Sequence, residues 1–510
     1  MIWTVLLILP VPLILILIFR GRTRLVKEPP LDKGYIPWLG HALEFGKDAA
    51  KFLSRMKSKH GDIFTVRVAG RYITVLLDPK SYDAVVMESS SRFNFSKYAC
   101  LLMERIFNLR LPNYEPNTEK AMMKLHFQGK PLHSLSTMMQ SNLDTVLLPE
   151  SNELGRMWRR DGLFNFCYSA LFRAGYLTLY GSESEQSGSQ PEKSRDRSQS
   201  ADIYREFRKF DNLLMKIART TLTSAEKKEA QGVKEVLWEL LSTKKLVRKL
   251  NRSSWLESYR RHLAEKGLDE EMQSRAMLLQ LWATQGNAGP AAFWLLVFLL
   301  KNPEAMSALK NEFNKILQGS RGQGQHLHPP VHRIAQEMLD KTPVFDSMLR
   351  ETLRLTAAPF ITREILQDMP LCLADGRQYN MRKGDRICLF PYLSPQMDPE
   401  IHQEPQKFKY DRFLNPDGTE KKDFYKDGSK LKYYSMPWGA GSHMCVGRFF
   451  AINSIKQFMF MVLTSFELEL CDPEAAISDI DVSRYGFGML QPKGDIEIQY
   501  RLRDFGHSTA

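Results

Sequence analysis

Cysteine is scarce in this chain and widely scattered. Its six cysteines, at positions 100, 167, 372, 388, 445 and 471, share no close spacing, which excludes both a disulfide framework and a zinc site built from paired cysteines. A nucleic-acid module pattern is absent as well. So is any Pro-, Gly- or Ser-rich linker long enough to separate one domain from another. The 510 residues therefore read as one large catalytic body, although length alone would allow about three units. Long apolar runs are equally rare. The one clear case is Ile2 to Phe19, broken only by Thr4 and containing Pro10 and Pro12.

Positive charge is plentiful. The net charge is +13, dispersed apart from clusters over residues 20–27 and 227–261. Without a nucleic-acid module, this excess favours an anionic membrane surface or an acidic substrate. The run Ile2 to Phe19 is just long enough to span a bilayer as a helix. Arg20, Arg22, Arg24 and Lys27 come after it and no small-residue cleavage site is evident, so it reads as an uncleaved anchor, not a cleaved signal. The positive-inside rule then keeps the basic flank cytosolic. The expected organisation is a single-pass endoplasmic reticulum anchor over residues 1–20, a basic, Pro-rich linker over 21–40 stiffened by Glu28-Pro29-Pro30, and a cytosolic catalytic domain over 41–510.

Within that domain the pattern is mainly helical, with small β-sheets. Ala49 to His60 has helical apolar spacing, and Phe64 to Leu77 reads as a hairpin turning at Ala69-Gly70. The Ser-, Glu- and Gln-rich run over 181–200 reads as a surface loop. The basic run over 205–261, punctuated by Trp238 and Trp255, is expected to be helical and either solvated or laid against a membrane. Met272 to Lys301 is the longest apolar helical pattern, and Pro290 is expected to kink it.

The most informative stretch is Pro437-Trp438-Gly439-Ala440-Gly441-Ser442-His443-Met444-Cys445-Val446-Gly447-Arg448. Three glycines surround one cysteine, and an apolar helical pattern begins directly afterwards. A lone cysteine is most often a small buried hydrophobe. Here glycines let the backbone lie close to a flat ligand, and a following helix N-terminus favours thiolate over thiol. A thiolate held this way suits a haem iron as axial ligand. The spacing of Trp438, Gly441, Cys445 and Gly447 resembles the haem-thiolate signature of the cytochrome P-450 superfamily. Trp438 stands where that family usually has Phe, and His443 where it usually has a propionate-binding Arg.

The resemblance implies a cytochrome P-450 fold and a haem b bound through Cys445, with Trp438, Gly439 and His443 at the cofactor. Glu351 and Arg354, three apart and so on one helical face, resemble the superfamily's Glu-x-x-Arg motif. Arg412 would complete a buried Glu-Arg-Arg network bracing the cysteine loop. Arg363 matches a propionate-binding position, and Lys120 is taken over Lys124 as the substitute for an absent Trp-x-x-x-Arg.

The chief departure is Ala283-Thr284-Gln285-Gly286-Asn287-Ala288-Gly289-Pro290. Oxygen-activating members carry an acid and a hydroxyl here that relay protons, whereas Ala288, Gly289 and Pro290 cannot pass one. The stretches Pro29–Asp48, Leu281–Lys301, Leu353–Glu364, Arg412–Lys430 and Ser483–Gly488 are similar to the prostacyclin synthase family. That resemblance implies isomerisation of prostaglandin H2, a lipid endoperoxide, to prostacyclin, without external electrons, dioxygen or an obligatory reductase. It also implies a membrane-bound monomer, with Asn287 donating to the endoperoxide and Trp282, Thr362 and Phe487 lining the cavity. A sterol monooxygenase is the alternative, because related sterol hydroxylases share an Asn-containing version of this stretch. A thromboxane-type isomerase is the second alternative.

Overall fold

The computed structural model describes residues 22–503 apart from 112–113, 149–154, 185–189, 322–333 and 335. The expected anchor over 1–20 lies outside the described residues. Among those described, no single helix is long and apolar enough to cross a membrane.

Helices dominate, as the 3.6-residue periodicity requires. The innermost is Leu163–Tyr180, buried along nearly its whole length. It packs against Gly129–Leu147, Ala288–Leu300 and Arg448–Ser465 in a single large core. A six-stranded sheet stands beside this bundle, in the order Leu31–Asp32, Ile63–Val68, Arg71–Leu76, Arg386–Leu389, Ile361–Ile365, Phe93–Asn94. Its hairpin turns where expected. Ala69 and Gly70 both take positive φ, 46° and 76°, as a two-residue turn matched to strand twist demands. A three-stranded antiparallel sheet joins Phe466–Leu470, Glu497–Leu502 and Arg159–Gly162.

The sequence reading needs correcting in several places. The segment read as a stiff linker is docked from residue 22 onward. Leu31–Asp32 pairs in parallel with the Ile63–Val68 strand. Glu28, 2 % exposed, receives Arg22 and Arg382 while Arg22 also reaches Asp385, and Arg24 donates to the Glu28 carbonyl. The polar run read as a loop over 181–200 instead enters a helix at Gln190 that continues to Arg219. Buried Asp196 organises the approach by accepting from the Glu183 N–H and the Ser184 hydroxyl, so polar composition here satisfies a buried carboxylate. Trp238, Leu241 and Trp255 are core residues, and none of them faces outward.

The long apolar helix is two helices, Glu270–Gln285 and Ala288–Leu300, meeting at Gly286-Asn287. Pro290 causes the break four residues upstream of itself. It has no N–H for the Gly286 carbonyl, and its ring crowds that group. The Tyr168 hydroxyl donates to the Gly286 carbonyl at 3.3 Å instead.

Candidate functional site

The cysteine loop is folded by its glycines and closed by its own backbone. Gly439 and Gly441 have φ of +73° and +59°. A Cβ on Gly441 would lie 2.7 Å from Val86 Cγ1, so only glycine lets the loop approach that helix. The Cys445 N–H donates to the Trp438 carbonyl at 2.9 Å, which joins the two ends of the motif. Arg448 begins the following helix, with Gly447 as its N-cap. Cys445 thus sits just outside a helix N-terminus, with its side chain exposed. Burial of its surroundings pushes the thiol above its ordinary value, while the Gly447 and Arg448 N–H groups and the charges of Arg448 and Lys120 pull the other way. A helix terminus alone therefore does not secure the thiolate here. A coordinated thiol, by contrast, is deprotonated outright.

Around the loop lies a group of cations without acids. Arg363 is 5 % exposed on the Ile361–Ile365 strand. It donates to the Thr362 carbonyl at 2.9 Å and lies over the Phe95 ring at 5.5 Å. His443 meets the same ring at 5.3 Å. Lys120 donates to the Ser442 carbonyl, and Arg448 Nη1 to the Cys445 carbonyl at 3.1 Å. Burial lowers Arg363 to about 10. Burial and the neighbouring Arg363 and Lys120 lower His443 to about 4. Burial, then Lys124 and Arg448, lowers Lys120. No salt bridge to Arg363, Lys120, Lys124 or Arg448 is formed among the described residues. A buried guanidinium without a counter-charge is costly. A flat ligand carrying two carboxylates, held by a sulfur on one face, matches this donor set; haem b is such a ligand.

Behind the loop is a fully buried ionic knot. Glu351 and Arg354 lie on the Pro343–Thr356 helix and are both 0 % exposed. Arg354 donates to Glu351 through Nε at 2.7 Å and Nη2 at 2.8 Å. Arg412 Nε reaches both carboxylate oxygens at 2.9 and 2.8 Å. The remaining arginine donors end on carbonyls: Arg354 Nη1 on Gln396 and Pro405, Arg412 on Gln403, Glu404 and Lys407. Gln396 carries the connection onward. Its Nε2 donates to the carbonyls of Arg354 and Ala357, and its Oε1 accepts from the Met436 N–H at 3.4 Å, just ahead of the cysteine loop.

The break in the central helix supplies the remaining group. Ala283 is exposed and Asn287 half-buried, one turn apart on one face. The Asn287 Oδ1 accepts the Met489 N–H at 3.0 Å, and its Nδ2 makes no hydrogen bond among the described residues. Trp282 packs on Phe107, ring centres 5.9 Å apart. Thr362 is buried on the sheet, its hydroxyl 3.6 Å from Cys388 Sγ, and Phe487 is half-buried on the loop that also carries Gly488 and Met489. The one hydroxyl-bearing side chain of this stretch, Thr284, is bonded within its own helix to the Gln280 carbonyl at 2.7 Å.

A family profile described as Cytochrome P450 matches residues 29–498. The chain belongs to the cytochrome P450 family. This P450 is 56 % identical over 481 residues to a protein named prostacyclin synthase from Homo sapiens, covering 94 % of this chain and 95 % of the relative. It is 57 % identical over 476 residues to the Rattus norvegicus prostacyclin synthase, covering 93 % and 94 %. It is 41 % identical over 485 residues to a 7-alpha-hydroxycholest-4-en-3-one 12-alpha-hydroxylase from Oryctolagus cuniculus, covering 94 % and 95 %.

Three residues of the P450 site escaped the sequence reading. Gln396, Tyr168 and Gly488 act through contacts distant in sequence, and only the glycine left a signal, as one of two glycines, Gly486 and Gly488, in a strand-like segment. Gly488 has φ +93°, and a Cβ there would stand 2.6 Å from Asn287 Oδ1. Gly488→Ala is expected to cost about 1–3 kcal/mol through the strained backbone and to displace the Asn287 amide. If Gly488 acts through Asn287, the double variant with Asn287→Ala loses no more turnover than Asn287→Ala alone, measured as kcat/KM of each single variant and the pair.

Proposed function

We propose that this P450 isomerises the endoperoxide prostaglandin H2 to prostacyclin at a ferric haem-thiolate, needing neither external electrons nor dioxygen. The observation carrying this reading is the chemistry of the helix break. Between Ala283 and Pro290 no side chain titrates, Thr284 is bonded to its own helix, and the half-buried polar group at the break is the Asn287 amide, its Oδ1 taken by the Met489 N–H. Dioxygen cleavage needs protons delivered there, whereas an endoperoxide arrives with its O–O bond already made. The 56 % identity to prostacyclin synthases supports the same reading.

When bound, the haem supplies an iron that engages one endoperoxide oxygen and splits the weak O–O bond. This chain's own residues do the rest. Cys445 would hold the iron through its sulfur. Arg363, Lys120 and His443 meet the propionates, and Trp438 and Gly439 shape the loop against the ring. Glu351, Arg354 and Arg412 brace that loop. Asn287, its Oδ1 held by Met489 N–H, directs its Nδ2 donor to the substrate and selects the oxygen that meets iron. Trp282, Thr362 and Phe487 wall a cavity that excludes water and holds the ring-closing atoms together.

The reading extends to the membrane. Residues 1–20 form a single-pass anchor in the endoplasmic reticulum, and the body that follows, with 22–40 docked on it, is one cytosolic catalytic domain that works as a monomer among membrane lipids. The apolar run followed by Arg20, Arg22, Arg24 and Lys27 supports this. Purified holoprotein given the endoperoxide without reductase or NADPH is expected to yield the hydrolysis product of prostacyclin. No such product, or a hydroxylated sterol formed only with reductase, NADPH and dioxygen, would sink the reading. A thromboxane product would reassign the isomerisation.

A further inference from the structure

The central helix presents an incompletely covered stripe. Met272, Arg275, Leu279, Trp282 and Ala283 are open to varying degrees, whereas Ser274, Ala276, Met277, Leu278, Gln280 and Leu281 are buried. This is helical spacing, so one face runs from Ala283, just before the break at Asn287, back towards Arg275. At its far end a second group of cations collects. Lys234, 6 % exposed on the Ser224–Leu240 helix, donates to Asn108 Oδ1 at 2.6 Å and forms no salt bridge among the described residues. Arg275 Nη1 donates to the Asn108 carbonyl at 2.9 Å. Its one acid is Glu271, an exposed residue a turn away on its own helix. Asn108 follows Phe107, the residue packed on Trp282, so this cluster adjoins the wall of the cavity.

Donors are left over here. Arg275 Nε and the Trp238 indole Nε1 are buried with no acceptor. Arg275 and Lys234 also share the Trp238 ring, at 4.8 and 5.9 Å from its centre. Burial, then the charge of Arg275, lowers Lys234. Two crowded cations and an unbonded indole N–H make a site that an anion would complete.

On the isomerase reading, we propose that Lys234, Arg275 and Trp238 form the subsite for the carboxylate of the fatty-acid endoperoxide. The helix rises about 15 Å from Arg275 to its end at Gln285, just short of Asn287, a span that an extended acid arm and an arginine side chain fill together. The ring then lies at Asn287 and the acid end at Lys234, so the cluster sets which way round the substrate lies.

The test uses holoprotein and a stable endoperoxide analogue, as free acid and as methyl ester, titrated by the Soret shift. Wild type is expected to bind the acid at least tenfold more tightly than the ester. Lys234→Gln and Arg275→Gln are each expected to lower that acid-to-ester ratio roughly tenfold, the size of one charge-assisted hydrogen bond. Equal affinity of the wild type for both forms, or variants that weaken acid and ester alike, overturns the assignment. If a cation variant fails to fold, Trp238→Phe keeps a ring for the cations while removing the indole donor, and the same ratio must fall. The titration reads binding alone. An acid preference without prostacyclin formation therefore counts against the isomerase reading and leaves the subsite standing.

Discussion

Cys445→Ala is expected to lower endoperoxide turnover by roughly a thousandfold or more, about 4 kcal/mol of barrier, while the fold survives. The two halves of this expectation have different physical sources. The loop is held by backbone, through the Cys445 N–H to the Trp438 carbonyl and the left-handed turns at Gly439 and Gly441, so removing a sulfur that supports no packing should leave it in place. The chemistry, on the proposed reading, depends on that sulfur, through which Cys445 would hold the haem iron. Far-ultraviolet circular dichroism should be unchanged, while haem content and the Soret position of the carbon monoxide complex should both alter. A variant retaining wild-type turnover would place the iron on another ligand.

The second large effect is on stability. Removing the Glu351 carboxylate in Glu351→Ala leaves Arg354 and Arg412 facing each other at 0 % and 9 % exposure with no acid between them. Breaking one partner of a buried pair costs about 3–5 kcal/mol, a large fraction of the stability of a typical domain. Glu351→Gln is expected to be nearly as harmful, because its amide turns an N–H₂ towards guanidinium donors. The readout is the denaturation midpoint of holoprotein together with haem retention. Since Gln396 connects Arg354 to Met436, haem should be lost at lower denaturant than the helices. Simultaneous loss, or a midpoint close to wild type, would separate the knot from the cysteine loop.

Local order was legible in the sequence where one short stretch sets its own structure. The Ala69-Gly70 hairpin, the Ala49–His60 helix and the helix after Gly447 all follow from residues within a few positions of one another. The cysteine loop was readable for the same reason, since its glycines and its sulfur are adjacent. Contacts between remote segments were not readable. Nothing near Asn287 announces that a backbone N–H two hundred residues later holds its oxygen, and nothing near Gly181 announces that Asp196 will be buried. Composition misled there, because a polar run looks the same whether its side chains meet water or a buried carboxylate. Pro290 was read correctly as a disruption, but the disturbance falls at the carbonyl it fails to serve, not at the proline itself. The basic stretch over 205–261 misled in the opposite sense, since its tryptophans lie in the core and some of its charges, Lys234 and Lys249 among them, are buried with them.

The arginines that follow the apolar run have a further bearing on how the body is carried. Arg22 is already neutralised by Glu28 and Asp385, and Arg382 closes on the same glutamate. The chain at Arg22 is thus held at one fixed point, stapled to the six-stranded sheet. A shortened version prepared for study in solution should retain Arg22, because cutting past it takes the cation from Asp385 and leaves Glu28 to Arg382 alone, which frees the Leu31–Asp32 strand to fray.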